Sequence, residues 1–109
     1  MFKVTHNPEF THDVPVQVPV DGGHLEQKLR TRFRMMDLDQ IDAFDLSTKE
    51  GNTTFLQRVV IGFEDLVDED NNRLECTDAL RDRMLMQPHI RMGLTQAYNR
   101  AVYKARVGN

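Results

Sequence analysis

The sequence predicts an α+β domain: an N-terminal antiparallel β-hairpin, with room for a third strand, packed on a bundle of about four helices. Three observations carry that expectation. Apolar and polar residues alternate through the N-terminal third, as far as residue 35. From Asp37 the apolar spacing changes to three and four. The two regimes come in blocks, strands first and helices after. At 109 residues the chain suits one domain over 1–109, with strands within about 2–35 and helices within about 38–106.

Val14, Val16, Val18 and Val20 alternate with Pro15, Gln17, Pro19 and Asp21. β-Branched residues at period two make a half-buried strand. Pro15 and Pro19 share one face and cannot donate ladder hydrogen bonds, which assigns the segment to a sheet edge. Asp21-Gly22-Gly23 is a turn signal. In the next run Leu25, Gln27, Leu29, Thr31, Phe33 and Met35 share one face. Glu26, Lys28, Arg30, Arg32 and Arg34 share the other. Residues 13–20 and 25–35 are therefore expected to pair as a hairpin. Residues 2–6, through Phe2, Val4 and His6, are expected to add a short third strand.

Leu38, Ile41 and Phe44 are spaced by three, and Asp37 with Gln40 forms a capping-box pattern. A short helix over about 38–46 follows, then a polar loop over 47–52. Asn52 or Thr53 can cap the next helix, expected over 54–67 from the stripe Phe55, Val59, Phe63 and Leu66. Gly62 would cost about 1 kcal/mol inside it and would serve a close approach by a neighbouring element. Residues 67–73 read as a turn. Thr77 can cap a third helix with Leu80, Met84 and Leu85 inward, and Pro88 suits the first turn of a fourth. Ile90, Leu94, Ala97, Tyr98, Ala101 and Val102 form its apolar stripe. The expected core is Leu29, Phe33, Phe55, Val59, Phe63, Leu80, Leu94 and Tyr98.

Composition excludes several classes. With 39% apolar and 28% charged residues the chain is not of the disordered type. No run approaches the ~18 apolar residues of a membrane span. The first ten residues lack the apolar stretch of a secretory signal. A single cysteine, Cys76, cannot form an internal disulfide, so a reducing, intracellular setting is expected.

Catalytic constellations are not visible at diagnostic spacing: there is no Gly-rich phosphate loop, Gly-x-Ser-x-Gly or His-Glu-x-x-His. The expectation is a protein that is not an enzyme and uses no cofactor. His6, His12, His24 and His89 match no zinc spacing and read as surface histidines. Asp68, Asp70 and Asn72 occupy calcium-loop positions, yet Arg73 and Ala79 replace the essential Gly and Glu. A solvated turn explains them better. Cys76 reads as a small buried residue ahead of a helix cap.

Charge is unevenly distributed. Residues 1–82 hold nine basic and all seventeen acidic residues, whereas 83–109 hold five basic residues and no acid. Lys28, Arg30, Arg32 and Arg34 lie on one strand face, either a solvent face paired with acids or a platform for an acidic partner or phosphates. No aromatic accompanies them, so nucleic acid is the weaker option. Arg91, Arg100 and Lys104 lie on the last helix, where late cations also complement the helix dipole. Met84, Met86 and Met92 cluster in sequence around the last helix junction, as core filler or as an adaptable contact surface.

Several segments in order resemble one family. The Val/Pro strand leads through a Gly turn into a strand ending Thr31-Arg32-Phe33-Arg34. Then come Val59-Val60-Ile61-Gly62-Phe63, the acidic Val67-Asp68-Glu69-Asp70-Asn71, and a helix starting Pro88-His89-Ile90-Arg91 and running to Leu94 and Ala97-Tyr98. Over about residues 10–104 this resembles the small tail assembly chaperones of long-tailed bacteriophages and prophages. Asn71-Asn72 stands where Asp-Gly is usual, and Phe63 where Trp is common. The resemblance implies a non-catalytic protein of the host cytoplasm, absent from the finished virion. It would keep the helical, aggregation-prone tape measure protein soluble and recruit tail tube subunits. Many relatives also have a frameshifted longer form, and the resemblance implies either the short form or a member without that extension. The contact residues expected are Lys28, Arg30, Arg32, Arg34, Met84, Met86, Arg91, Met92, Arg100 and Lys104. Self-association is left open, and a nucleic-acid-binding or regulatory protein using the basic strand face is the alternative.

Overall fold

The computed structural model of the chain describes residues 1–103. Its first element is a long hairpin. Strand β1 (Glu9–Val20) and strand β2 (Gly23–Arg34) pair antiparallel around a two-residue Asp21-Gly22 turn, in a register that sets Val14 opposite Leu29 and Phe10 opposite Phe33. At about 3.4 Å per residue, twelve-residue strands reach about 40 Å. This accounts for most of the molecule's longest dimension, 46 Å. Next come α1 (Leu38–Asp42), α2 (Lys49–Val59), β3 (Val60–Glu64), β4 (Leu66–Val67), β5 (Arg73–Leu74), α3 (Asp78–Leu85) and α4 (Pro88–Val102). The fold is α+β, with an N-terminal antiparallel sheet and four helices among the described residues.

Sheet order is β1-β2-β3, so β1 is an edge strand, where its two prolines are tolerated. Val14 and Val16 are buried, as are Leu29, Thr31 and Phe33 on the same face of β2. Toward the tip the same face emerges from the body: Val20 and Leu25 are exposed. Beyond Arg34 the alternation breaks, leaving Met35 exposed and Met36 buried.

The third strand is not the one expected. Residues 1–5 form no strand; β3 pairs with the other side of β2 instead. The segment 54–67 is correspondingly not one helix. Helix α2 stops at Val59, and Val60 is already extended, with φ −95° and ψ 110°. The β-branched run Val59-Val60-Ile61 favours that change, and the open side of β2 supplies partners for it. A bulge explains the helix-like spacing. Arg32 pairs with Gly62 and Phe33 with Val60, which leaves Ile61 as an extra residue. Buried Val60 and Phe63 therefore sit three apart on a strand, mimicking a helical stripe. Gly62 serves no close approach: an added Cβ would first meet Cys76 Sγ, at 3.7 Å.

Caps locate the helices. Asp37 and Gln40 form the expected capping box, with bonds of 3.0 and 3.1 Å, although α1 ends at Asp42, well short of residue 46. Thr48 caps α2 by accepting from the Gly51 N–H at 3.0 Å. Asn52 and Thr53, expected as caps, lie inside the helix, and Thr53 Oγ1 donates back to the Lys49 carbonyl. Thr77 caps α3, and Pro88 opens α4. The expected continuation of α4 to 106 lies outside the described residues.

Helix α4 packs chiefly across β1, where Gly93 passes over the outward-facing Pro15 carbonyl. Between sheet and helices lies one core that includes Phe33, Phe55, Leu56, Val59, Val60, Phe63, Leu85, Leu94 and Tyr98. Leu80, expected in it, is only half-buried. Phe10, Phe33 and Phe55 surround Tyr98 with ring centroids 5.6–6.3 Å from its own.

Candidate functional site: a strand face and two grooves

The outer face of the hairpin carries Lys28, Arg30, Arg32 and Arg34, as the alternation requires. Three of the four are paired with acids. Arg30 bridges Asp13 at 3.2 Å and Glu64 at 3.3 Å, one partner on each flanking strand. Arg32 meets Glu9 at 3.2 Å and donates to Thr11 Oγ1 at 3.0 Å. Lys28 meets Glu26 at 3.0 Å. Arg34 donates to the Arg58 carbonyl at 3.1 Å. The hydrogen bond from Lys28, with Gln17 also donating, holds the Glu26 carboxyl below its ordinary range. The hydrogen bond to Asp13 is the main cause that raises the Arg30 guanidinium. The face is thus a lattice of alternating signs, built because the register places acids of β1 and β3 beside bases of β2.

Around the start of α4 lie two grooves. One runs between α4 and the edge of β1, with a volume of about 430 Å³. Its walls are Pro15, Gln17, Pro19 and His24 on the hairpin, with Pro88, His89, Met92, Gly93 and Gln96 on the helix. No Asp, Glu, Lys or Arg lines it. Met92 is 64% exposed at its rim. The second groove, of about 320 Å³, lies under the distal half of the hairpin, lined by Val16, Val18, Leu66, Val67, Met84 and Ile90, with Lys28, Asp65 and His89 among its polar residues.

The three methionines expected as one cluster are therefore divided. Met84 lines the second groove, Met92 the first, and Met86 is exposed at the α3–α4 junction. Arg91 points inward: it donates to Asn52 Oδ1 at 3.2 Å, to Thr53 Oγ1 and to the Lys49 carbonyl, tying α4 to the first turns of α2. Arg100 is exposed on α4. Lys104 lies outside the described residues.

Sequence reasoning missed Pro15, Pro19, His24, His89 and Gln96 as groove residues. Their visible signal was two prolines on one strand face and a Pro-His pair opening a helix. Neither reveals which helix covers which edge.

His12 and Asp68 fall into structural places. His12 packs edge-on against Phe10, with centroids 5.2 Å apart. Asp68 Oδ1 accepts the N–H groups of Asp70 and Asn72, both at 2.9 Å, closing the β4–β5 turn. Those bonds, led by that from Asn72, hold its carboxyl below the ordinary Asp range. Among the described residues no group of three His, Cys, Asp or Glu could hold a metal ion, and no helix is long and apolar enough to cross a membrane.

Comparison with known families, with characterised proteins and with solved structures finds no match to this chain.

Proposed function

We propose that the chain is a non-catalytic tail assembly chaperone acting in the cytoplasm of a phage- or prophage-bearing bacterium. In this reading it holds a tape measure protein soluble, helps bring tail tube subunits to it, and is left behind when the virion is complete. The observation that carries the reading is the uncharged groove between α4 and the β1 edge, with Met92 at its rim. A holdase needs an apolar trough open to solvent, because its client presents helical stripes rather than one fixed shape. Methionine suits such a trough, since its unbranched side chain repacks against different partners. The prolines opposite remove N–H donors from the strand edge, which favours a docked helix over an added strand. Of the expected contact residues in the α3–α4 region, Met86, Met92 and Arg100 have exposed side chains. Arg91 instead ties α4 to α2.

Nucleic-acid or regulatory binding through the strand face is the weaker alternative. Phosphate binding needs Lys and Arg side chains that neutralise phosphates and displace their counterions. Arg30, Arg32 and Lys28 are already engaged by Asp13, Glu64, Glu9 and Glu26.

Co-expression with the tape measure protein from the same gene cluster tests the proposal. A soluble complex is expected, with recovery reduced by Met92→Asp. A client that pellets equally with and without the chain overturns it. Gel-shift binding to nucleic acid with a steep salt dependence would instead support the alternative.

A further inference from the structure

Residues 1–8 precede the sheet as an arm with no acidic residue, carrying Phe2, Lys3, Val4 and His6. Phe2 is 91% exposed and Val4 87%, so neither touches the body of its own chain appreciably. The arm is anchored at its base, where the Pro8 carbonyl accepts from the Met35 N–H at 3.0 Å. Two apolar residues at period two, held out in water, are a strand-like ligand without a receptor.

The same molecule has a receptor of matching character. The groove under the distal hairpin has an apolar floor of Val16, Val18, Leu66, Met84 and Ile90, and exposed Val67 forms its lip. Asp65 lines it, and exposed Glu69 and Asp70 follow Val67 in the next turn. Asp65 is paired with Arg73 at 3.1 Å, and Glu69 and Asp70 have no ion pair among the described residues. Lys28, also at the groove, is held by Glu26. Arm and groove are both apolar, and the arm's Lys3 is opposite in charge to Glu69 and Asp70, which follow the groove lip Val67 in sequence.

The arm of the same chain, fully extended, reaches only the near end of the groove, where Leu29 lies opposite Val14. Phe2 stands six residues from Pro8, a reach of at most about 20–22 Å, and Val4 reaches about 14 Å. Val16 lies eight residues along β1 from Pro8, about 26–27 Å at strand rise, and Val18 lies farther still. The direct path along that face is also filled, by Phe10, Phe33 and Tyr98.

We propose that the Phe2/Val4 arm of one copy docks in the hairpin groove of a second copy, so that the chain self-associates by exchanging arms. Reciprocal exchange closes a pair, and one-way exchange builds a longer series. The inference needs no client and stands apart from the chaperone reading.

Sedimentation equilibrium of the untagged full chain without client, from about 1 to 200 µM, is the test. The weight-average mass of the unaltered protein is expected to rise above 12.7 kDa with concentration. The double variant Phe2→Ser/Val4→Ser, which alters only exposed side chains, is expected to keep its circular dichroism spectrum and associate at least about 100-fold more weakly. Lys3→Glu should weaken association, and Glu69→Lys/Asp70→Lys should restore it. Val67→Glu at the groove lip should act like the arm variant. A monomer across the whole range, or a double variant that associates as strongly as the parent, overturns the proposal.

Discussion

The backbone N–H of Phe63 donates to the Cys76 sulfur at 3.3 Å, and this bond helps close the outer edge of β3. One turn into α3, Arg81 Nη1 reaches the Val60 carbonyl on the same strand at 3.5 Å. Two side chains thus stand where another strand would otherwise pair, protecting an edge that could recruit a foreign chain.

Replacing Cys76 therefore tests an acceptor rather than a thiol. Cys76→Ala should leave the Phe63 N–H without its partner and cost about 1–3 kcal/mol in urea unfolding. Cys76→Ser keeps an acceptor and should recover at least half of that loss. Equal destabilisation by both variants would show that only the volume of the sulfur matters.

Glycine supplies a sharper contrast. A Cβ at Gly51 would lie 1.9 Å from the Asp45 carbonyl oxygen and 2.7 Å from its carbon, both backbone atoms that cannot swing aside. Gly51→Ala is expected to destabilise by about 2 kcal/mol or more, overriding the roughly 1 kcal/mol that Ala gains in a helix. Gly62→Ala meets only the Cys76 sulfur at 3.7 Å. It should be neutral, or stabilising by up to about 1 kcal/mol through the unfolded chain. Thermal melts of the two variants give the comparison.

These glycines also show what could be read from residue order. Local chemistry was legible: the Asp21-Gly22 turn, the Asp37–Gln40 capping box, the Thr77 cap and the proline-marked edge strand all follow from nearest neighbours. Where two signals compete the reading fails. Phe55, Val59 and Phe63 are spaced as a helix, yet β2 offered an open edge and the Ile61 bulge kept the spacing while changing the structure. Gly62 attracted notice as a helix interruption, whereas the crowded glycine is Gly51, packed against a loop whose path no periodicity specifies. Site residues divide the same way. The face of Lys28, Arg30, Arg32 and Arg34 was legible from alternation. Most of their acidic partners were not, since Glu9, Asp13 and Glu64 arrive only through strand register.

That register yields a prediction about charge. The basic face should behave as nearly neutral toward polyanions while its acids are intact. The variant Glu9→Gln/Asp13→Asn/Glu26→Gln/Glu64→Gln removes four negative charges from around four positive ones. Its elution from heparin should move to clearly higher salt, and a salt-dependent affinity for duplex DNA should appear. If the parent protein already binds DNA as tightly as this variant, the ion pairs do not mask the face.

Burial of Tyr98 predicts a loss of stability at alkaline pH. Its hydroxyl is buried within the aromatic cluster and accepts the Met36 N–H at 3.2 Å. Burial pushes its pKa above the ordinary 10, and the Met36 bond opposes this only in part. In the unfolded chain the phenol ionises near pH ~10, whereas in the folded chain it keeps its proton to higher pH. Above pH ~10 the folded state therefore binds more protons than the unfolded state, and stability falls as pH rises through that window. Below it the phenol is protonated in both states and contributes no slope. Tyr98→Phe leaves the buried Met36 N–H without an acceptor and should cost about 1–3 kcal/mol at neutral pH. It should also flatten the fall above pH ~10, so the stability difference from the parent narrows as pH rises. Urea midpoints at pH 7, 9 and 10.5 would measure this, and a difference that stays constant across them would remove Tyr98 from the alkaline transition.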